Sequence, residues 1–250
     1  MNVRRAVIAH VADAIPHPQR PLLVVIDGVD GAGKTTFADE LATELRSRGV
    51  VVERASIDDF HHPREHRHAL GRTPDAIWSR HFDYRALRRE LLDPWLRGAG
   101  AGYRPSWHDV RRDEYVKCES RAVPDTGVLV VDGLFAQRPE LDQAWDFVVF
   151  LDVPFEVSVA RLATRDGSLD DPEHPDQRRY IDAQRHYFDC CSPRTSADLV
   201  IDNSDLDAPI VGGINRPCPP GWRVEGDELV RTVRLRRGQV ATAEAIDRLL

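Results

Sequence analysis

The chain has 250 residues, enough for one large domain with a packed core, and its 42% apolar and 30% charged residues are ordinary for a globular protein. Its net charge of −7 argues against a nucleic-acid binder held mainly by phosphate contacts. No apolar run approaches the ~18–20 residues of a membrane span, and the cysteines (Cys118, Cys190, Cys191, Cys218) form no CxxC pair, which suggests neither zinc site nor disulfide framework and makes a reducing cytoplasm the expected compartment.

The N-terminal stretch MNVRRAVIAHVADAI carries Asp13 and lacks the apolar centre of a signal peptide, so it reads as an amphipathic helix. A Pro/His linker (16–21) leads into LLVVID (22–27), a continuous apolar run of the kind that forms a strand buried on both faces. GVDGAGKTT (28–36) follows at once and matches G-x-x-x-x-G-K-[ST], placed between a strand and a helix as such a loop must be. Its glycines let backbone N–H groups curl round phosphate oxygens while the next helix aims its positive end at them. Gly28, Asp30, Gly31, Ala32, Gly33, Lys34, Thr35 and Thr36 are therefore the expected nucleotide-binding residues. Lys34 would reach the β/γ-phosphates and Thr35 would hold Mg²⁺. Of the 34 basic residues 32 are arginine, so Lys34 survives in a chain that has almost abandoned lysine, where a compact ammonium and a planar guanidinium bind differently.

The segment TTFADELATELRSRG reads as a helix ending at Gly49, and VVERAS (51–56) as a second strand. Asp58 and Asp59 stand just beyond it, on the rim that carries the phosphate loop. Transfer of a phosphoryl group to a hydroxyl needs a carboxylate to orient the acceptor and take its proton; Asp58 is the first choice and Asp59 the reserve. Residues 58–126 are too long for a simple crossover and hold six of the ten histidines, which marks a functional insertion. Within it only YRALRRELLDPWL (84–96) reads as helical. His61, His62, His66 and His68 lack a familiar zinc spacing, and Pro63 interrupts any helix that would align His62 with His66. They read as a solvated loop.

VLVVDGLF (128–135) supplies a third strand and Asp132, the acid expected to organise Mg²⁺; Asp152, at the end of FVVFLD (147–152), ranks second. FEVSVARLATRD (155–166) and QRRYIDAQRHYFDCC (177–191) read as helices, and ADLVID (197–202) as a fifth strand. The tail opens with a Pro/Gly-rich stretch (209–221), followed by WRVEGDELVRTVRL (222–235), a hairpin around Gly226-Asp227, and a short final helix. Alternating strands and helices imply an α/β fold, with ligands at the carboxyl ends of parallel strands.

Taken together, GVDGAGKTTFA, SIDDF, HFDYRALRREL, VLVVDGLF, FLDVPFEVSVARLATRD and RRYIDAQRHYFDCCSPRTSADLVIDN resemble, in the same order and from about residue 21 to 204, the uridine kinase branch of the phosphoribulokinase/uridine kinase family of P-loop kinases. The resemblance implies a P-loop kinase fold, a five-stranded parallel sheet with helices on both faces, and a lid; the C-terminal β-hairpin appendage, read from residues 222–235, lies outside it. It makes Asp58, with Phe60, the base segment, and aligns Asp132 with the acid of a Phe-Glu-Gly turn, a conservative departure. Arg-x-x-x-Arg-Asp at the lid implies phosphate contacts from Arg161 and Arg165, with Arg178 and Arg179 as weaker candidates at the lid's return. On the acceptor side PDAIWSRHFD keeps only a later Phe-Asp, Phe82-Asp83. YRPSWHDVRRD (103–113) replaces a base-stacking segment, with Tyr103, Trp107 and His108 as candidates to stack or hydrogen-bond.

The resulting expectation is a kinase domain over 1–204, with an acceptor insertion at about 58–126, a lid at about 166–178 and an extension over 205–250. It would move the γ-phosphate of ATP or GTP, with Mg²⁺, to a small-molecule hydroxyl acceptor, first a nucleoside 5′-OH. Pantothenate, a sugar phosphate or glycerate is the alternative acceptor, and a nucleotide-driven regulator the alternative class. No nucleic acid and no membrane partner is expected. A homo-oligomer stays open, because the hairpin could cover the core or pair with another subunit.

Overall fold

The apolar runs read from sequence become one sheet in the computed structural model, which describes residues 2–214 and four short strands beyond them, Trp222–Glu225, Glu228–Arg231, Arg234–Leu235 and Gln239–Val240. The strands are β1 (Pro21–Gly28), β2 (Val52–Ser56), β3 (Gly127–Asp132), β4 (Phe147–Asp152), β5 (Leu199–Asp202) and β6 (Ile210–Ile214). They lie in the order β6-β5-β4-β1-β3-β2; the first five in chain order run parallel and β6 is antiparallel to β5. β1 is central and buried at all eight positions, which is why its sequence is continuously apolar rather than alternating.

Side chains still alternate between the two faces. Leu23 and Val25 point into a core shared with Trp95, Phe135 and Tyr187, while Leu22, Val24 and Ile26 meet Val11, Phe37 and Leu41 on the other side. Four long helices flank the sheet: α1 (Val3–Ala14), α2 (Lys34–Ser47), α3 (Phe155–Asp166) and α4 (Pro175–Cys191). The N-terminal helix is amphipathic as expected, burying Val7, Ile8, Val11 and Ala12. α2 stops at Arg48, with Gly49 beyond it at φ +81°, a left-handed turn suited to glycine.

Three features go beyond the sequence reading. Strand β6 falls within the stretch read as a Pro/Gly-rich connector and extends the expected five strands to six, with a register shift between Val211 and Gly213. An edge added to β5 hides backbone groups that would otherwise be unpaired, and the glycine pair masked its strand character. The boundary expected at 204/205 thus separates residues that share one sheet. Second, the helix read at 84–96 is Tyr84–Leu87 and Asp93–Arg97 joined by a π-turn, Arg88–Leu92. Pro94 has no N–H to offer the Glu90 carbonyl, which instead accepts the Arg104 amide at 2.7 Å. Third, the insertion contains two small antiparallel pairs, Gly102–Tyr103 with Arg121–Ala122 and His108–Asp109 with Glu114–Tyr115.

In the tail, Trp222–Glu225 pairs antiparallel with Glu228–Arg231, as the hairpin reading required. The turn at 226–227 and the expected final helix lie outside the described residues. Among the described residues no helix is long and apolar enough to cross a membrane.

Candidate active site

The loop between β1 and α2 is shaped by its glycines. Gly28, Gly31 and Gly33 have φ of +150°, +78° and +88°, and a Cβ on Gly31 would lie 2.5 Å from the Ser158 carbonyl oxygen. The loop therefore closes against α3 so tightly that a side chain is excluded, leaving its amides to line a concave turn at the N-terminus of α2. Lys34 folds across this turn, its Nζ donating to the Val29 carbonyl at 2.8 Å.

Thr35, on the first turn of α2, donates its hydroxyl to Oδ2 of Asp132 at 2.7 Å. The contact exists because β3 is the immediate neighbour of β1, with Ile26 opposite Asp132. Both groups offer hard oxygens, the donor type that Mg²⁺ prefers, so the pair fits the expected cation. Asp152, the runner-up, is bound to Arg194 at 2.5 Å on the far side of β1.

Asp58 and Asp59 lie in a single 3₁₀ turn, Ile57–Asp59, directly after β2, capped by the Ser56 hydroxyl. Asp58 opens onto solvent, but protein crowds its carboxylate and raises its pKa to about 6: lost hydration comes first, and Asp30, Asp132 and Asp59 add repulsion that Lys34 partly offsets. These influences bring Asp58 into the field of Lys34, Asp30 and Asp132. Asp59 is also pushed up to about 6, by burial and then by Asp132 and Asp109.

The acceptor candidates divide. Trp107 donates its amide to the Asp59 carbonyl at 3.0 Å, which places it beside the acidic pair, and Arg89 stacks over its ring at 4.9 Å. Tyr103 and His108 depart from expectation. Tyr103 is buried against Trp95, and His108, bridged to Phe60, is 1% exposed. Burial takes both from the stacking role, because the two hairpins fold them onto the core. Phe60 is fully buried, and Phe82 packs beneath His61 and Phe135. Asp83 caps the helix after it, accepting the Ala86 amide at 2.9 Å.

In the histidine loop His66 and His68 are exposed as expected, His62 is half-buried, and His61 departs from the solvated reading. His61 is 7% exposed with Nδ1 on the Asp58 carbonyl, and the His62 and His66 rings stack at 4.0 Å despite Pro63. Pro63 caps the helix Arg64–His68 instead of preventing it.

Of the arginines expected at the lid, Arg161 lies nearest the loop's own hydrogen-bond partners. Its Nη2 donates to the carbonyls of Asn203 and Ser204, and Asn203 in turn donates to the Ala32 carbonyl at 2.7 Å. Arg165 and Arg178 are exposed on either side of the connection 167–174, paired with Asp166 and Glu173 at 3.1 and 3.3 Å. Arg179 bonds the Asp176 carbonyl and lies over the Tyr180 ring.

Sequence reasoning missed a second row of residues behind the loop. Asp27, completely buried at the end of β1, accepts the Tyr187 hydroxyl, the Gln137 side-chain amide at 2.9 Å and the Gly28 amide at 2.8 Å. Burial pushes its pKa up, against these hydrogen bonds and Lys34. Gln184 accepts the Asp30 amide at 2.8 Å. Arg54 pairs with Asp132 at 2.7 Å. A charged side chain inside VVERAS was a visible signal for Arg54; nothing local distinguishes Gln184 or Asn203.

A family model described as an AAA domain matches residues 24–184, which spans the loop, both acidic strand ends and the insertion. The chain belongs to the AAA-domain family. Solved structures similar to this AAA domain include a possible uridine kinase from Bacillus stearothermophilus, with 25% identity, a TM-score of 0.63, and coverage of 79% of this chain and 96% of that one. A protein assigned as a fructose transport system kinase from Silicibacter sp. TM1040 is 23% identical, with a TM-score of 0.58 and coverage of 73% and 94%. Phosphoribulokinase from Rhodobacter spheroides is 14% identical, with a TM-score of 0.50 and coverage of 74% and 70%. The last two share the fold. A P-loop fold of this kind implies a nucleoside triphosphate as ligand.

Proposed function

We propose that this AAA domain is a kinase that transfers the γ-phosphate of ATP or GTP to a hydroxyl of a small metabolite, with a nucleoside 5′-OH as the first acceptor. One observation carries the reading: Asp58, in the turn directly after β2, stands on the same strand rim as the phosphate loop and Asp132, where the protein around it raises its pKa to about 6. A carboxylate poised in that range is ionised at neutral pH yet basic enough to take a hydroxyl proton. The similarity to the possible uridine kinase supports the same reading.

In this reading the loop amides and Lys34 bind the triphosphate, and Thr35 and Asp132 hold the divalent cation. Mg²⁺, when bound, neutralises charge on the phosphate oxygens. Asp58 orients the acceptor hydroxyl and accepts its proton, Asp59 and Trp107 flank the acceptor, and Arg161 and Arg165 close over the transferring group, where such an arginine contributes ~10³-fold or more. Lid closure over 167–174 would exclude water and suppress hydrolysis. The kinase unit extends through β6, with the hairpin strands as its appendage.

A second acceptor class has an observation in its favour. With Tyr103 and His108 buried, Trp107 is the one expected aromatic left beside Asp59, which weakens a base-stacking site and favours a sugar phosphate, pantothenate or glycerate. Turnover with ATP and GTP against nucleosides and these alternatives separates the two readings. Lys34→Ala should abolish turnover with every acceptor; hydrolysis that no acceptor stimulates would overturn the kinase reading in favour of a nucleotide-driven regulator.

A further inference from the structure

The connection between β5 and β6 is tied to the phosphate loop by one side chain. Asn203 is fully buried, and its Nδ2 donates to the Ala32 carbonyl at 2.7 Å, one residue before Gly33, where α2 begins. The other end of the same amide, Oδ1, accepts Nη1 of Arg4 at 3.2 Å. Arg4 lies at the start of α1, outside the residues 24–184 that the family model matches.

Arg4 is also held by α2. Its Nε donates to both carboxylate oxygens of Glu40, at 3.0 and 2.7 Å, and the guanidinium lies 5.8 Å from the centre of the Phe37 ring. Phe37 and Glu40 are three residues apart and share a face of that helix. Nη1 reaches the Leu206 carbonyl as well, at 2.8 Å, and the Arg4 side chain is only 12% exposed. A guanidinium has donors and no acceptor, so it can face only the oxygen of the Asn203 amide, which turns the NH2 group toward Ala32. The contacts close a ring that runs from Ala32 through Asn203, Arg4 and Glu40 and back along α2 to the loop. We propose that Arg4 is a positioning residue for nucleotide binding: it orients the Asn203 amide, which holds the Ala32 carbonyl and with it the curvature of the phosphate loop. The N-terminal helix is thereby a working part of the donor site. The proposal rests on the reading of residues 28–36 as the triphosphate loop.

Calorimetric titration of the full chain with a non-hydrolysable ATP analogue and Mg²⁺, well below the melting temperature, tests it. Arg4→Met keeps a long side chain over Phe37 and should weaken binding about tenfold, the effect of losing one charge-assisted hydrogen bond. Asn203→Ala should weaken it at least as much, and Arg4→Met added to Asn203→Ala should cause no further loss, because Arg4 acts through that amide. In turnover assays of Arg4→Met the KM for ATP should rise while the KM for the acceptor stays unchanged. An Arg4→Met protein that melts earlier yet binds the analogue as tightly as wild type would reduce Arg4 to a strut between α1 and α2 and overturn the proposal. Losses that multiply in the double variant would do the same. Asn203→Ser takes the place of the alanine variant if that fails to fold. Lys34→Ala is the separate control: analogue bound to it as tightly as to wild type would sink the assignment of the loop itself, whatever Arg4 does.

Discussion

Asp58 illustrates a single residue whose chemistry and stability pull in opposite directions. Its pKa is about 6 in the fold, against roughly 3.9 in an unfolded chain. The protonated form therefore favours folding: this contribution is complete below pH ~4 and lost as pH rises through about 6. Above that pH the ionised carboxylate is the destabilising species and, in the proposed mechanism, the one that takes the acceptor proton. Asp58→Asn should reduce kcat/KM by ~10²–10⁴-fold. It should also raise stability at pH 7.5 by about 1 kcal/mol, a value discounted for its solvent access, while leaving pH 4 stability unchanged. Melting curves of nucleotide-free protein at both pH values check the stability claim, and equal shifts at the two would contradict it. In the active enzyme kcat/KM should rise with pH through about 6.

At the scale of an element, α4 supports the phosphate loop from behind. Gln184 and Tyr187, three residues apart, share a helix face and reach the Asp30 amide and the Asp27 carboxylate respectively. Tyr187 is 1% exposed, and its hydroxyl also accepts the Gln137 amide at 2.9 Å. Tyr187→Phe removes that oxygen and leaves two buried groups one partner short. A loss of about 1–3 kcal/mol is expected, read by denaturant titration, with a weaker nucleotide affinity if the loop relaxes. α4 begins at Pro175, directly after the connection 167–174 that the proposed function takes as a lid, so a helix at that lid's root also braces the loop.

For the whole molecule, the sheet edge is the vulnerable feature. β5 is covered on its outer side by β6, which pairs with it from Ile210 to Ile214. A chain ended at Asn203 would lose that cover and expose the backbone groups of an otherwise apolar strand. Lower thermal stability and concentration-dependent aggregation should follow, measurable by melting curves and light scattering. A truncated chain as stable and monodisperse as the full one would show that β6 is dispensable.

The sequence by itself determined the parallel sheet, the phosphate loop and the acid on β3, because these depend on local signals: continuous apolar runs, glycines that fix a turn, and a carboxylate at a strand's end. Phe147–Asp152 and Phe155–Asp166 were readable to the residue. Tertiary structure alone decided what depends on contacts between distant segments. The Pro94 π-turn needed Arg104 to take a freed carbonyl, and Tyr103 and His108 were buried by hairpins that no periodicity announced. Asp27 acquired its partners from residues 110 and 160 positions away. Local chemistry writes the elements and their end residues. Burial and charge coupling arise only when the sheet order brings those ends together.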